Sequence, residues 1–200
     1  MFTLEVRCRE DIEQYCRSKR TFSSEFNKPV VIARDVKDCS GLFWKMYTFN
    51  KQVVIPNGVE TCEKLFGYGD FNQPLDIPDS VKNCDGMLTQ CEKYNSMLHL
   101  GSGVESCKEM LWGCRSFNKP IALPNGVVDC TRMLLACESF NQPIYLPPSV
   151  LYCEDMLKYC DSMKSVVKAP IHLKDQLSYN NIEWYEPEVT SDAASFTSVF

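Results

Sequence analysis

Two hundred residues, 44% hydrophobic and 24% charged, can bury a sizeable core, and that composition excludes a disordered or membrane-embedded chain. The net charge of -5 divides as five basic against four acidic residues over 1–20, fifteen against seventeen over 21–170, and one against five over 171–200. A basic footprint is missing, so neither DNA nor RNA is expected as a direct partner. No run approaches the roughly eighteen apolar residues of a membrane helix, and Glu5, Arg7 and Arg9 interrupt what would be a signal core. No membrane partner and a cytoplasmic location are therefore expected.

In chain order, residues 1–20 read as an N-terminal cap. Phe2 to Cys8 alternates like a strand, and Asp11 is placed to N-cap a helix carrying Ile12, Tyr15 and Cys16. From residue 21 to 170 the chain repeats itself. Phe26-Asn27, Phe49-Asn50, Phe71-Asn72, Tyr94-Asn95, Phe117-Asn118 and Phe140-Asn141 are followed by a degenerate Met163-Lys164, at intervals of 23, 22, 23, 23, 23 and 23. Val36, Val59, Val81, Val104, Val127 and Val150 each precede a cysteine by three residues, a bulky pair such as Met110-Leu111 follows, and Cys91, Cys114, Cys137 and Cys160 form a second cysteine column.

Alternation in Ile121-Ala122-Leu123 and Ile144-Tyr145-Leu146 predicts one short strand per repeat, closed by Pro124 or Pro147. The mixed three- and four-residue spacing of V-x-x-C-x-x-M-L-x-x-C predicts a short helical or 3₁₀ segment on the opposite wall. The fold class expected is an α/β repeat: a leucine-rich-repeat-like solenoid with short parallel strands on one face. Residues 171–186, with Leu173, Leu177, Ile182 and Trp184, read as a C-terminal cap, and 187–200 as a mobile tail.

Lines such as Cys137-Glu-Ser-Phe-Asn-Gln-Pro-Ile-Tyr-Leu-Pro-Pro-Ser-Val150 resemble two repeat families at once. One is the bacterial surface, BspA-like leucine-rich repeat of about 23 residues; the other is the F-N-x-P surface-protein repeat. The resemblance implies adhesive or recognition surfaces in bacteria, and such repeats also occur in phage and mobile-element proteins.

The chemistry-bearing residues read as packing. Twelve cysteines without any N-x-[ST] sequon point to a reducing compartment, and stacked columns of a small, readily buried residue suit a tight ladder better than a metal site. C-x-x-C knuckles are absent, so no metal or other cofactor is expected. Only His99 and His172 could serve acid–base chemistry, and no G-x-S-x-G, dinucleotide or P-loop pattern appears, so the chain is not expected to be an enzyme. The asparagine column reads as mutual satisfaction of stacked amides.

One column varies where others repeat: the outward strand residues Val31, Val54, Asp76, His99, Ala122, Tyr145 and Lys168. They are the candidate partner-binding residues. Trp44 and Trp112 share another column and form a second candidate patch, with partial burial as the alternative. The expected function is a non-catalytic protein–protein interaction module, with a phage or mobile-element inhibitor of a host protein as the leading role. A virion or bacterial-surface structural component is the alternative, and a metal-binding or enzymatic protein comes third.

Overall fold

Two left-handed residues four positions apart shape every repeat: Gly41 and Lys45, Lys64 and Tyr68, Gly86 and Gln90, Glu109 and Gly113, Arg132 and Ala136, Asp155 and Tyr159, all with φ between 51° and 73°. Such residues cannot continue a right-handed helix. Between them the N–H groups split into two alternating sets. Leu65, Met87 and Met110 close tight turns onto the carbonyl three residues back, whereas Cys62, Lys64, Phe66 and Tyr68 donate to Asn83, Asp85, Met87 and Thr89 of the following repeat. Parallel bridges therefore run without a break from Asp38 through Thr61, Asn83, Ser106 and Asp129 to Tyr152.

The computed structural model describes residues 3–187, and the tail expected over 187–200 lies outside them except for Pro187. The protein has a repeat-type α/β arrangement with short parallel strands in small sheets and few helices. β1 (Leu4–Val6) pairs with β2 (Val30–Ile32), β3 (Leu75–Asp76) with β4 (Leu98–His99), and β5 (Ile144–Tyr145) with β6 (Val167–Pro170), which in turn pairs with β7 (Ile182–Tyr185). Every pairing is parallel. The α-helix α1 (Arg9–Lys19) and two 3₁₀ turns, Ser23–Glu25 and Ile171–Leu173, are the helical elements of the described residues.

Three expectations change. The second wall of the repeat is built of turns, not of helical segments: C-x-x-M-L-x-x-C directs the same residues inward through paired left-handed turns. Strands do not form in every repeat, since 53–55 and 121–123 make no ladder hydrogen bond, although Val53, Ile55, Ile121 and Leu123 are buried. And Asp11 is not the N-cap of α1. Cys8 is, and Asp11 sits at the third helical position, where its carboxylate accepts from the N–H of Cys8 at 3.1 Å and of Arg7 at 2.6 Å. Reaching back from the third helical position to the N-cap N–H is the reciprocal half of a capping box.

Pairing on the strand wall follows a local sequence difference. Asn72 and Asn141 are each met in the next repeat by a serine: Ser96 Oγ lies 3.0 Å from both the Asn72 carbonyl and its Oδ1, and Ser165 Oγ lies 2.9 Å from the Asn141 carbonyl. Those serines stand at the entry to β4 and β6, which pair with β3 and β5; β2 pairs with β1 without one, behind Lys28. Elsewhere the residue after asparagine is Lys28, Lys51, Gln73, Lys119 or Gln142; Gln73 and Gln142 donate Nε2 to Oδ1 of Asn50 and Asn118 at 2.9 and 3.0 Å, but no bond to the asparagine carbonyl forms there.

The core lies between the walls. Phe26, Phe49, Phe71, Tyr94, Phe117 and Phe140 stack as one ladder of rings with centroids 5.9–6.3 Å apart. Beside it, each asparagine Oδ1 from Asn27 to Asn141 accepts the backbone N–H at the same position of the next repeat at 2.8–3.0 Å. The asparagine column thus gives each repeat's backbone donor an acceptor in the repeat before it.

Candidate partner-binding surface

Alternation on the strand wall sends one residue of each repeat outward. Val31, Val54, Asp76, His99, Ala122, Tyr145 and Lys168 are all exposed, while their neighbours Val30, Val53, Leu75, Leu98, Ile121, Ile144 and Val167 are buried. Backbone register brings several of them together: Asp76 is opposite His99, and Tyr145 opposite Lys168. Asp76 Oδ1 and His99 Nδ1 are 2.7 Å apart. Val31 and Val54 keep 55% and 75% of their surface in water, unusual for valine and therefore a feature that asks for a cover.

Pairing extends the column by two residues that repeat counting misses. Glu5 of β1 stands opposite Val31, and Glu183 of β7 stands opposite Lys168. The first segment carries no Phe-Asn pair, and Tyr179-Asn180 before β7 falls 16 residues after Met163, out of the repeat period; the signal that could have found both is the strand alternation of the terminal segments themselves. β7 also supplies Tyr185, which stacks on Tyr145 at 5.6 Å, donates its hydroxyl to the Leu146 carbonyl at 2.7 Å and lies beneath Lys168 Nζ. Burial first, and then the neighbouring Tyr145, push the Tyr185 phenol up. An aromatic platform with a cation over it closes this end of the wall.

Where the ladder is interrupted, the wall opens. One cleft of about 510 Å³ lies between β2 and 52–57, lined by Val31, Arg34 and Val54; another of about 460 Å³ lies between 121–123 and β5, lined by Ala122, Tyr145, Lys168 and Glu183. Five of the seven outward residues thus line clefts, and the other two form the Asp76–His99 pair.

On the turn wall, Trp44 and Trp112 are half-buried. The Trp44 ring lies across Gly67, where a Cβ would come within 2.0 Å of it, and meets Tyr68 edge-on at 5.0 Å. Glycine at 67 is required by this close approach. A shallower groove of about 320 Å³ separates the two tryptophans, floored by Thr89 and edged by Lys64, Asp85 and Glu109.

All twelve cysteines are free thiols, with Cys8 exposed and the other eleven buried. The second column has a task beyond filling space: the thiols of Cys91, Cys114, Cys137 and Cys160 donate to the carbonyls of Phe66, Leu88, Leu111 and Leu134 at 3.1–3.2 Å. Burial pushes Cys39, Cys84, Cys91, Cys153 and Cys160 up to about 12, and it pushes Cys62, Cys107, Cys114, Cys130 and Cys137 well up too. Such thiols are protonated and unreactive at neutral pH. Among the described residues no group of three or more His, Cys, Asp or Glu side chains is arranged to hold a metal ion, and no helix is long and apolar enough to cross a membrane.

The register of the bridges, the ring ladder and the asparagine ladder define the class: a tandem-repeat protein whose repeats lie against one another. The chain belongs to the family described as Mycoplasma protein of unknown function, DUF285, whose model matches it three times, over residues 10–122, 37–146 and 61–170. Each match starts roughly one repeat after the last. Comparison with curated proteins and with solved structures finds no match.

Proposed function

We propose that this chain is a non-catalytic protein–protein interaction module, a leucine-rich-repeat-like solenoid of the BspA-like kind, that reads a protein partner with its strand wall. The observation that carries the reading is the outward column: from Val31 to Lys168 it changes from apolar to acidic, basic and aromatic while the columns around it repeat. A residue selected only for solvation need not present two adjacent exposed valines and an aromatic. The clefts beside Val54 and Tyr145 give a partner's side chains somewhere to enter. Residues 1–20 and 171–186 cap the ends of the solenoid on this proposal. A reducing, cytoplasmic setting belongs to the same proposal, and the resemblance to repeats of phage and mobile elements is the ground for reading the module as an inhibitor of a host protein.

Affinity capture with mass spectrometry, run in parallel on the parent and on two variants, tests it. The triple variant Asp76→Ala, His99→Ala, Tyr145→Ala should lose the captured partner by an order of magnitude or more while its stability stays within about 0.5 kcal/mol of the parent, as exposed substitutions usually do. Trp44→Ala with Trp112→Ala should retain the partner. The reverse outcome places recognition on the turn wall and overturns the proposal.

A further inference from the structure

Within the repeats, the N–H groups of Cys130, Arg132, Leu134 and Ala136 donate to the carbonyls of Tyr152, Glu154, Met156 and Lys158. The equivalent donors of the last repeat are Cys153, Asp155, Leu157 and Tyr159. Gln176 answers the first of them: its Oε1 accepts the Cys153 N–H at 2.9 Å, and its Nε2 donates back to the Leu151 carbonyl at 2.8 Å. The next three rungs have no acceptor among the described residues. At the other end α1 covers the first repeat, and the Arg9 guanidinium donates to the carbonyls of Gly41 and Trp44. Beside the open rungs lies a cavity of about 480 Å³, with Met156, Leu157 and Leu177 as its apolar floor and Glu154, Asp155 and Asp175 against the single Lys158.

We propose that this end is a second docking site, which takes one more segment of the same repeat kind from another polypeptide, with a cation at its first left-handed position. The site is independent of the strand-wall reading. Unclaimed ladder donors at the edge of a parallel array invite chain addition. The left-handed Asp155 and Tyr159 give this edge a winding that a flat strand does not match and that a repeat-like segment does. Charge selects the sign. Arg132 pairs with Glu109 of the repeat before it at 3.5 Å; at the end Lys158 at 3.1 Å and Arg132 at 3.9 Å share Asp155, but Glu154 and Asp175 line the same cavity and leave carboxylate in excess, so a cation equivalent to Arg132 in the docked segment would answer it.

The probe is a synthetic peptide of residues 127–140 carrying Cys130→Ala and Cys137→Ala, added to the full-length protein, with residue-resolved amide hydrogen exchange as the readout. In the free protein the amides of Asp155, Leu157 and Tyr159 should exchange fast and those of Cys153, Arg132, Leu134 and Ala136 slowly. Saturating peptide should slow the first three by about tenfold or more, and the same peptide with Arg132→Glu should bind about tenfold more weakly. Unchanged exchange at millimolar peptide overturns the proposal. So does protection already present in the free protein, whether it is lost on truncation after Pro187, which makes the chain's own C-terminal segment the occupant, or grows with protein concentration, which makes it a second copy.

Discussion

The two walls of the repeat stack are held by different means. On the turn wall four backbone rungs join each repeat to the next without interruption from Cys39 to Cys153, whereas on the strand wall the ladder forms in separate pieces and leaves 53–55 and 121–123 unpaired. The inward side chains of the turn wall are thiols that donate to carbonyls and apolar residues packed beside the ring ladder. The strand wall keeps half of its residues outward and varied. Continuity of hydrogen bonding in one wall frees the other from a structural duty, which is the condition a recognition surface needs.

The largest expected difference between the walls is in alkali. Ten thiols whose folded pKa is raised by burial all lie on the turn wall. A raised folded pKa contributes stability that is fully present below the unfolded value near 9 and is lost as pH rises toward the folded one. Each thiol that ionises only in the unfolded chain removes about 1.4 kcal/mol per pH unit, so ten of them exhaust a typical 5–15 kcal/mol within about two units above 9. Urea midpoints measured from pH 7 to 11 should be flat and then collapse, and Cys91→Ala, Cys114→Ala, Cys137→Ala together should make the collapse shallower. A stability that stays level to pH 11 would break the contrast.

Truncation on the two sides of the core should differ next. Phe117→Ala opens the ring ladder on a fully closed site and should cost about 3–5 kcal/mol; Leu123→Ala, beside a cleft and on an unpaired strand, should fall near the low end of about 2–5 kcal/mol. Chemical denaturation measures both, and equal losses would show that the strand wall is as tightly built as the other.

The smallest effect concerns what interrupts the strand wall. Ser96→Ala removes the clamp on Asn72 and should cost about 1 kcal/mol, with faster amide exchange at Leu75 and Ile77, whose N–H groups donate to Met97 and His99. Conversely, Gln142→Ser with Pro143→Met should knit 121–123 to β5 and slow the amides of Ile121 and Leu123. If neither variant changes exchange, the serine is not what sets the pairing.

The sequence alone determined the repeat length, the buried columns and the outward column, because each is a matter of which residue type recurs at a fixed interval. It also held, unread, a correlate of the broken strand wall: Asn95-Ser96-Met97 and Lys164-Ser165-Val166 place a serine where the other repeats have lysine or glutamine, a departure that looks like noise until the serine hydroxyl is seen on the neighbouring asparagine. Glu5 and Glu183 could be placed on the outward column only by the pairing of β1 and β7, since register between distant segments is not a local property.

The nature of the second wall was beyond reach of periodicity. Apolar residues at three- and four-residue spacings face one way on a helix, and they do so equally on a chain of tight turns. What decides is where alternate N–H groups find acceptors. A helix satisfies them within the segment; here the following repeat lies close enough to take them, and every second donor to it adopts φ near +60°. The choice between two backbones with the same side-chain spacing is made by a neighbour 23 residues away in sequence, and so only the tertiary structure could make it.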